Sequence, residues 1–316
     1  MAGTVAVTGA TGFVGSHVVP ALAGAGWRVR VLIRRFPLPM LGGDNVIEAI
    51  IGSVEDEDGL RRLVRGCDAV VHLAGVVKAR TASEFFRVNA DGVSRLARLA
   101  ATQSPPPRLL LVSSIAAREP SLSAYAASKR AGEAALESAG PEVPWTILRP
   151  PAIYGPGDRE TLSFFRWIAR GVAPRVGGRE CRLSLLHVRD FATAVVAALT
   201  TGRDVLGATY ELDDGRPGGY SWSNMAEAAG QVLRTRLRPL QVPAAMLCTA
   251  AAANVVVGAI LRRTPMLTPG KAREILHPDW VCHDRAFERQ TGWQAAIRLP
   301  EGFAETVIWY RAHGWL

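Results

Sequence analysis

The sequence has little lysine and no concentrated block of positive charge. Only three of its 37 basic residues are lysines, at positions 78, 129 and 271, and the arginines are scattered along the chain. No basic stretch with interleaved aromatic residues is present, which argues against nucleic-acid binding. We therefore expect the net charge of +9 to lie on a solvated surface that weakly attracts anionic partners.

Cysteine is also scarce. The four cysteines are too far apart in sequence to indicate a metal-binding knuckle or a redox pair: Cys67, Cys181, Cys248 and Cys282. The chain passes from Met1 almost directly into a predicted strand, so we expect no secretory signal peptide. We expect no metal site, and we expect a reducing, cytoplasmic location.

Hydrophobic residues, in contrast, make up 48% of the 316 residues. Strand-like and helix-like segments alternate regularly along the chain, which predicts an α/β protein with either one large domain or two fused ones.

The first strand-to-helix turn contains three evenly spaced glycines. Val5 and Val7 belong to a short apolar run that predicts a buried strand, and Gly9, Gly12 and Gly15 follow before a helical pattern begins. Glycine permits a tight turn, a close backbone approach to a pyrophosphate and close packing of helix on strand. The positive end of the helix then faces the phosphates. This context favours dinucleotide binding over an ordinary glycine-rich turn.

The residues after the second predicted strand indicate which dinucleotide is preferred. A carboxylate at this place would bind the ribose 2′-hydroxyl of NAD, but the sequence has Arg34 and Arg35 after Ile33. A guanidinium can hold a 2′-phosphate through two hydrogen bonds. We therefore predict NADP as the preferred cofactor and NAD as the alternative; both arginines could instead be solvent-facing loop residues.

Tyr125 and Lys129 are four residues apart, so on a helix they share one face. A nearby ammonium favours the phenolate form and lowers the pKa of a tyrosine, which ordinarily lies near 10. Such a tyrosine can exchange a proton with a substrate oxygen while hydride moves to or from a nicotinamide. Ser114, at the end of a predicted parallel strand, could hold the same oxygen.

These motifs together resemble the extended branch of the short-chain dehydrogenase/reductase superfamily, the NAD-dependent epimerase/dehydratase group. The resemblance rests on the glycine triplet and on the following segments: His72-Leu73-Ala74-Gly75, Asn89, Ser113-Ser114, Tyr125-x-x-x-Lys129, 149–157 and 186–190. The last predicted helix, after Gly302, also resembles that of sterol and 3β-hydroxysteroid dehydrogenase-like members.

The resemblance implies a Rossmann fold, a doubly wound parallel sheet with a smaller C-terminal substrate-binding lobe. Residues 1–155 would form the nucleotide-binding domain, to which residues 186–214 return. Residues 156–185 and 215–316 would form the lobe. The resemblance further implies a homodimer.

The same resemblance implies roles for individual residues. Tyr125 would be the general acid/base, Ser114 would orient the substrate oxygen, and Asn89 would support a helix kink and a proton relay near Lys129. The residues implied to contact the cofactor are Gly9, Thr11, Gly12, Phe13, Val14, Gly15, Arg34, Arg35, Ser53, Val54, Leu73, Ala74, Gly75, Tyr125, Lys129, Pro150, Ala152 and Ile153. Ser53 departs from the aspartate that is common in the branch, and Ser113-Ser114 departs from the Thr-Asp-Glu run of the dehydratases.

Residues 242–261 contain no charge and are rich in alanine and valine. Three interpretations remain open: a membrane span, a buried helix pair of the lobe, and an apolar lid that receives a hydrophobic substrate or rests on a membrane, with Arg262 and Arg263 at its edge.

We predict an NAD(P)-dependent oxidoreductase that interconverts a secondary alcohol and a ketone on a hydrophobic, sterol-like substrate. A nucleotide-sugar epimerase is the second hypothesis. A cofactor-binding structural subunit without turnover is the third.

Overall fold

A computed structural model describes residues 3–35, 46–140, 142–176, 181–261, 264–265 and 267–316 of the chain. Arg262 and Arg263 lie outside these residues. The strands are β1 Thr4–Thr8, β2 Arg28–Ile33, β3 Val46–Ile51, β4 Ala69–His72, β5 Arg108–Val112, β6 Trp145–Arg149, β7 Ala152–Tyr154, β8 Val172–Val176, β9 Arg182–Leu183, β10 Leu185–His187, β11 Ala208–Glu211, β12 Tyr220–Ser221, β13 Arg238–Val242 and β14 Asp279–Trp280.

The α-helices alternate with the strands in the first half of the chain and predominate in the second. They are α1 Gly15–Gly24, α2 Glu57–Val64, α3 Ala82–Asn89, α4 Asp91–Ala101, α5 Ala124–Glu137, α6 Leu162–Ala169, α7 Val188–Thr200, α8 Trp222–Leu233, α9 Ala244–Ile260, α10 Pro269–Leu276, α11 Ala286–Thr291 and α12 Leu299–Ala312.

Seven strands form one sheet in the order β11-β6-β5-β4-β1-β2-β3, and every neighbouring pair is parallel. Every residue of β1 and of β4 is buried, as expected for strands covered by helices on both faces. The predicted Rossmann-type doubly wound sheet is therefore confirmed. The strand order reverses between β1 and β4, which is where such sheets bind ligands, at the carboxyl ends of their strands.

Residues 84–101, for which the sequence pattern predicts one continuous helix, belong to two helices in the structure. Helix α3 ends at Asn89, and helix α4 begins at Asp91 after Ala90, whose φ is −112° and ψ is −59°. A Cβ on Gly132 of helix α5 would lie 2.3 Å from the main-chain oxygen of Asn89. Glycine at position 132 therefore allows helix α5 to approach the chain at the point where the two helices separate.

The chain divides into two compact units. Unit 1 contains residues 1–149, 192–211 and 284–293, and unit 2 contains residues 150–191, 212–283 and 294–316. The predicted boundary lies after residue 155, and the prediction places all of 215–316 in the lobe. In the structure, helix α11 belongs to unit 1. The reason is local packing, because the rings of Phe287 and Tyr210 are in edge contact, with centroids 5.5 Å apart.

The core of unit 2 is aromatic. Phe165, Phe303 and Tyr310 are buried. The ring of Phe165 packs edge to face on both of the others, with centroids 4.9 Å from Phe303 and 5.6 Å from Tyr310. Such pairs add to the free energy of burial itself.

The uncharged segment 242–261 forms one helix, α9, and most of its side chains are exposed. The interpretation as a buried helix pair is therefore wrong, because this helix is packed along one narrow stripe only. Within the described residues, no helix combines the length and the apolar character that crossing a membrane requires.

Candidate active site

The turn after β1 requires glycine at position 9. The φ of Gly9 is +72°, a conformation that favours glycine. A Cβ on Gly9 would also lie 2.7 Å from the main-chain nitrogen of Ala74 and 2.8 Å from the carbonyl carbon of Leu73. The end of β1 and the segment after β4 therefore run side by side at the place where the strand order reverses.

Gly15 is required for a different reason. A Cβ at this position would lie 2.2 Å from the main-chain oxygen of Gly9, so only glycine lets helix α1 begin against the turn. Gly12 has room on its outer side: the nearest atom to its added Cβ is the oxygen of Gly9 at 3.3 Å. Thr11 and Gly12 are exposed, and Phe13 and Val14 are half-buried. The turn therefore lies open to solvent at a helix start, the kind of position that binds a pyrophosphate.

Further side chains predicted to contact the cofactor lie at the ends of β2 and β3. Arg34 and Arg35 are exposed directly after β2. The Ser53 hydroxyl accepts a hydrogen bond from the Glu55 main-chain N–H at 3.1 Å, and Val54 is buried.

Helix α5 holds the predicted catalytic pair. Its first residue follows Ser123, whose hydroxyl caps the helix by accepting a hydrogen bond from the Ala126 main-chain N–H at 3.0 Å. Tyr125 is half-buried, and its ring meets that of Phe85 edge to face at 6.1 Å. One turn later, the ammonium of Lys129 is buried and donates a hydrogen bond to the main-chain oxygen of Val112 at 2.7 Å.

Burial lowers the pKa of Lys129 to about 8, and the carboxylate of Glu133 opposes that shift. Glu133 is itself fully buried, and Arg149 donates two hydrogen bonds to it, from Nε at 2.8 Å and from Nη2 at 2.6 Å. Arg130 adds a third at 3.1 Å. A buried carboxylate fixed by arginines therefore stands one helical turn from the lysine and helps to keep it charged.

Asn89 links the two sides of this site. Its Oδ1 accepts a hydrogen bond from the Val76 main-chain N–H at 2.8 Å. Its Nδ2 donates to the Val76 oxygen at 3.0 Å and to the Ser128 hydroxyl at 3.0 Å. Ser128 in turn donates to the main-chain oxygen of Tyr125 at 2.7 Å. A Cβ on Gly75 would lie 3.1 Å from Asn89 Oδ1 and 3.9 Å from Lys129 Nζ, so Gly75 borders both side chains.

The two serines after β5 differ in environment. The Ser114 hydroxyl is half-buried and accepts a hydrogen bond from the Ala116 main-chain N–H at 3.2 Å, which caps a short 3₁₀ turn. The Ser113 hydroxyl is buried and has no hydrogen-bond partner among the described residues. Ser114 is thus the serine whose side chain is reachable.

Sequence reasoning missed the pairing of Thr8 with His72 at the ends of the two central strands. The Thr8 hydroxyl lies 2.8 Å from His72 Nδ1 and accepts a hydrogen bond from the Ala74 main-chain N–H at 3.2 Å. Burial, with a smaller effect from the positive Lys129, lowers the pKa of His72 to about 3. His72 is therefore neutral. The only sequence signal for this pair was that each of the two apolar strands ends in a polar residue.

Pro150, Ala152 and Ile153 belong to unit 2. Pro150 is buried, Ala152 is exposed, and Ile153 is half-buried on β7, where it pairs with Leu186 of β10. The structure thus brings together Asn89, Tyr125, Lys129 and Gly75 within unit 1. Pro150, Ala152 and Ile153 form a separate group in unit 2.

The fold and the site define a dinucleotide-binding α/β enzyme of the extended short-chain dehydrogenase/reductase superfamily. The sequence model of the NAD dependent epimerase/dehydratase family matches residues 5–212, and the chain belongs to that family. It is an NAD(P)-dependent oxidoreductase, and the glycine turn, which a Cβ would fill at positions 9 and 15, fits the cofactor that the family uses.

Three known proteins are similar to it. A ceramide reductase of Caulobacter vibrioides is 43% identical over 99% of this chain and 96% of its own length. A mitochondrial NADH dehydrogenase (ubiquinone) 1 alpha subcomplex subunit 9 of Arabidopsis thaliana is 29% identical over 75% of this chain and 60% of its own. A solved UDP-glucose 4-epimerase of Thermotoga maritima, 20% identical over 98% of this chain and 99% of its own, has a TM-score of 0.75 and shares the fold.

Proposed function

We propose that this enzyme reduces the ketone form of a ceramide-class lipid to the secondary alcohol. The observation that favours this substrate is the 43% identity with the Caulobacter ceramide reductase over nearly the full length of both chains. A ceramide is a two-chain lipid with a secondary hydroxyl, so it meets the sequence-based prediction of a hydrophobic alcohol–ketone substrate. It replaces the sterol as the first candidate.

The proposed mechanism assigns one task to each residue of the site. The bound nicotinamide supplies the hydride that reaches the carbonyl carbon. Tyr125 donates its phenolic proton to the carbonyl oxygen as that oxygen becomes an alkoxide, and Ser114 holds the same oxygen by a hydrogen bond. The charged Lys129 lowers the cost of the phenolate that remains. Asn89 positions helix α5 through Ser128, as supported by its hydrogen bonds to both segments.

We propose that unit 1 holds the cofactor, through the glycine turn and residues 53–54 and 73–75. Contacts from Pro150, Ala152 and Ile153, and a substrate site in the C-terminal lobe, remain predictions from the sequence. The preferred cofactor is NADP, because the exposed Arg34 and Arg35 leave two guanidinium groups and no carboxylate at the end of β2.

The other hypotheses predict different observations. A nucleotide-sugar epimerase would interconvert UDP-glucose and UDP-galactose with no net consumption of cofactor. A structural subunit would bind the dinucleotide without turnover. The Arabidopsis relative, which is named as a subunit of NADH dehydrogenase, motivates this alternative. The buried, hydrogen-bonded Lys129 one turn from Tyr125 supports catalysis, because burying an ammonium is costly and needs compensation.

A homodimer formed through helices of unit 1 and a cytoplasmic location complete the proposal. The four cysteines are free thiols in the structure, which suits a reducing compartment.

The test is direct. The purified enzyme is incubated with NADPH and with the ketone form of a ceramide in detergent micelles, and in parallel with UDP-glucose. We expect NADPH to be consumed with the lipid alone, and the lipid product to gain two hydrogens by mass spectrometry. Epimerisation of the sugar without lipid reduction, or cofactor binding with no turnover of either, would overturn the proposal.

A further inference from the structure

Helix α9 exposes an apolar surface that nothing in the described structure covers. Seven of the twelve exposed large hydrophobic side chains among the described residues lie between positions 240 and 261: Leu240, Met246, Val255, Val256, Val257, Ile260 and Leu261. Val256 and Ile260, one turn apart, are 59% and 74% exposed. A patch of this kind on a soluble domain marks an interaction site.

The packed side of α9 is narrow. Leu247, Ala251, Asn254 and Gly258 follow each other at helical spacing and are its half-buried or buried positions. Asn254 Nδ2 donates a hydrogen bond to the Leu267 main-chain oxygen at 2.9 Å, which ties the helix to the segment before α10. The rest of the circumference is uncharged and faces outward, although a surface helix ordinarily has polar residues there.

The chain on either side of the helix carries charge of one sign. The sequence has no carboxylate between Glu227 and Glu274, but it has seven basic residues in that interval. Arg236 and Arg238, just before the helix, are exposed, and so is Arg175 of β8, which pairs with Gln241 of β13. Each arginine near an anionic lipid surface adds to the electrostatic attraction.

The length of α9 excludes a span and suits an interfacial position. Its 17 residues cover about 25 Å along the axis, less than the roughly 30 Å hydrocarbon core of a bilayer. In an interfacial position the helix would lie in the plane of the membrane, with its exposed apolar side chains among the acyl chains and the arginines before it at the phosphates.

We propose that α9, together with the exposed arginines of β8 and of the segment 236–238, is a membrane-docking surface that binds an anionic phospholipid bilayer. A second copy of the chain is the less suitable occupant, because a two-fold contact through this surface would place the basic groups of both copies against each other. The proposal goes beyond the proposed reaction and does not depend on the identity of the substrate.

The experiment measures vesicle binding by the full chain, without substrate or turnover. Wild type, Val256→Glu/Ile260→Glu and Ile308→Glu are sedimented with vesicles of phosphatidylcholine alone and with vesicles that also contain phosphatidylglycerol. Ile308 on α12 is 68% exposed, so its variant adds a charge at an equally open apolar position on a different helix.

We expect wild type and Ile308→Glu to bind the anionic vesicles, and the double variant to lose at least about tenfold in partition coefficient. Arg236→Gln/Arg238→Gln, which leaves the apolar face intact, should lose affinity for anionic vesicles only, and added salt should weaken the wild type in the same way. Cofactor binding should be unchanged in all variants, which separates this test from that of the reaction.

Three results would overturn the proposal. One is wild-type protein that stays in the supernatant with anionic vesicles. Another is equal binding by wild type and the double variant. The third is a wild-type dimer that the double variant converts to a monomer in light scattering, because the occupant of the surface would then be a second copy.

Discussion

The ammonium group of Lys129 donates a hydrogen bond to the main-chain oxygen of Val112 at 2.7 Å, which joins helix α5 to the end of strand β5. Because Tyr125 lies one turn earlier on the same helix, this contact fixes the predicted catalytic pair near the carboxyl end of β5. Parallel sheets bind ligands at the carboxyl ends of their strands. Lys129 is also the only one of the three lysines that is buried among the described residues. Its charge is therefore the property of the site that substitutions can test most sharply.

Glu133→Gln should move the pH dependence of reduction. The carboxylate of Glu133 raises the pKa of Lys129 against the lowering effect of burial, so its removal should bring that pKa further below 8. Reduction needs the charged lysine and is lost as pH rises through this pKa. The alkaline limb of the kcat profile should therefore shift to lower pH.

Glu137→Gln is the matched control for this shift, because Glu137 also accepts a hydrogen bond from Arg130 but lies one turn further from Lys129. Its profile should coincide with that of the wild type. An unchanged alkaline limb in Glu133→Gln would show that this carboxylate does not act on the lysine.

The neutral state of His72 predicts how stability depends on pH. Its pKa is lowered from 6.5 to about 3 in the fold, so the unfolded chain takes up a proton over this interval and the folded chain does not. Its contribution to stability is complete above pH 6.5 and is lost as pH falls toward 3, by up to about 1.4 kcal/mol per pH unit.

Urea unfolding of wild type and His72→Asn at a series of pH values between 7 and 5 measures this contribution. The variant should be less stable at pH 7, since it alters the contact with Thr8, but its stability should fall less steeply with acid. The control variant is His313→Asn, at an exposed histidine, and it should retain the wild-type slope. Parallel slopes for wild type and His72→Asn would contradict the assignment of a neutral buried histidine.

Arg34→Ala should weaken NADPH binding and spare NADH. A guanidinium that holds the 2′-phosphate contributes a hydrogen bond between charged groups, so its loss should raise the KM for NADPH by about tenfold or more. Arg35→Ala tests the second arginine in the same way. Arg311→Ala, at an exposed arginine of α12, removes the same charge elsewhere and should leave both KM values within about twofold. Equal effects on NADPH and NADH would refute the preference.

Gly9→Ala should lower the free energy of unfolding by more than the left-handed backbone conformation of this residue alone explains. Gly66 has a φ of +64° with nothing within 4 Å of an added Cβ, whereas Gly9 has a φ of +72° and would meet Ala74 at 2.7 Å. Gly66→Ala should lower the free energy of unfolding by about 1 kcal/mol, and Gly9→Ala by roughly 2 to 5 kcal/mol with loss of cofactor binding. Calorimetry with and without NADPH measures both quantities, and equal losses would mean that the turn tolerates a side chain.

The sequence was sufficient to predict those parts of the molecule that depend on a local residue pattern and on the steric requirements of the backbone. The glycine spacing at 9, 12 and 15 indicated the first βα unit, because Gly9 and Gly15 satisfy steric needs that a pattern can express. The four-residue spacing of Tyr125 and Lys129 on one helix likewise needed only helical periodicity.

The parts that could not be predicted depend on contacts between distant segments. The division of residues 84–101 into two helices follows from the close approach of Gly132 to Asn89, forty-odd positions apart in the chain. The return of α11 to unit 1 follows from the packing of Phe287 on Tyr210. The exposure of α9 could not be decided among the three interpretations because an uncharged segment has the same pattern whether it is buried or open to solvent.

The central claim is that Tyr125 supplies the proton for reduction of a lipid ketone. The most direct measurement compares wild type, Tyr125→Phe and the control Tyr210→Phe, whose hydroxyl bonds to Gln290 instead, for reduction of the ketone form of a ceramide and for NADPH binding. We predict that Tyr125→Phe lowers kcat by at least about a hundredfold while NADPH binds with nearly wild-type affinity, and that Tyr210→Phe stays active. Tyr125→Phe enzyme that reduces the lipid at the wild-type rate would contradict the account.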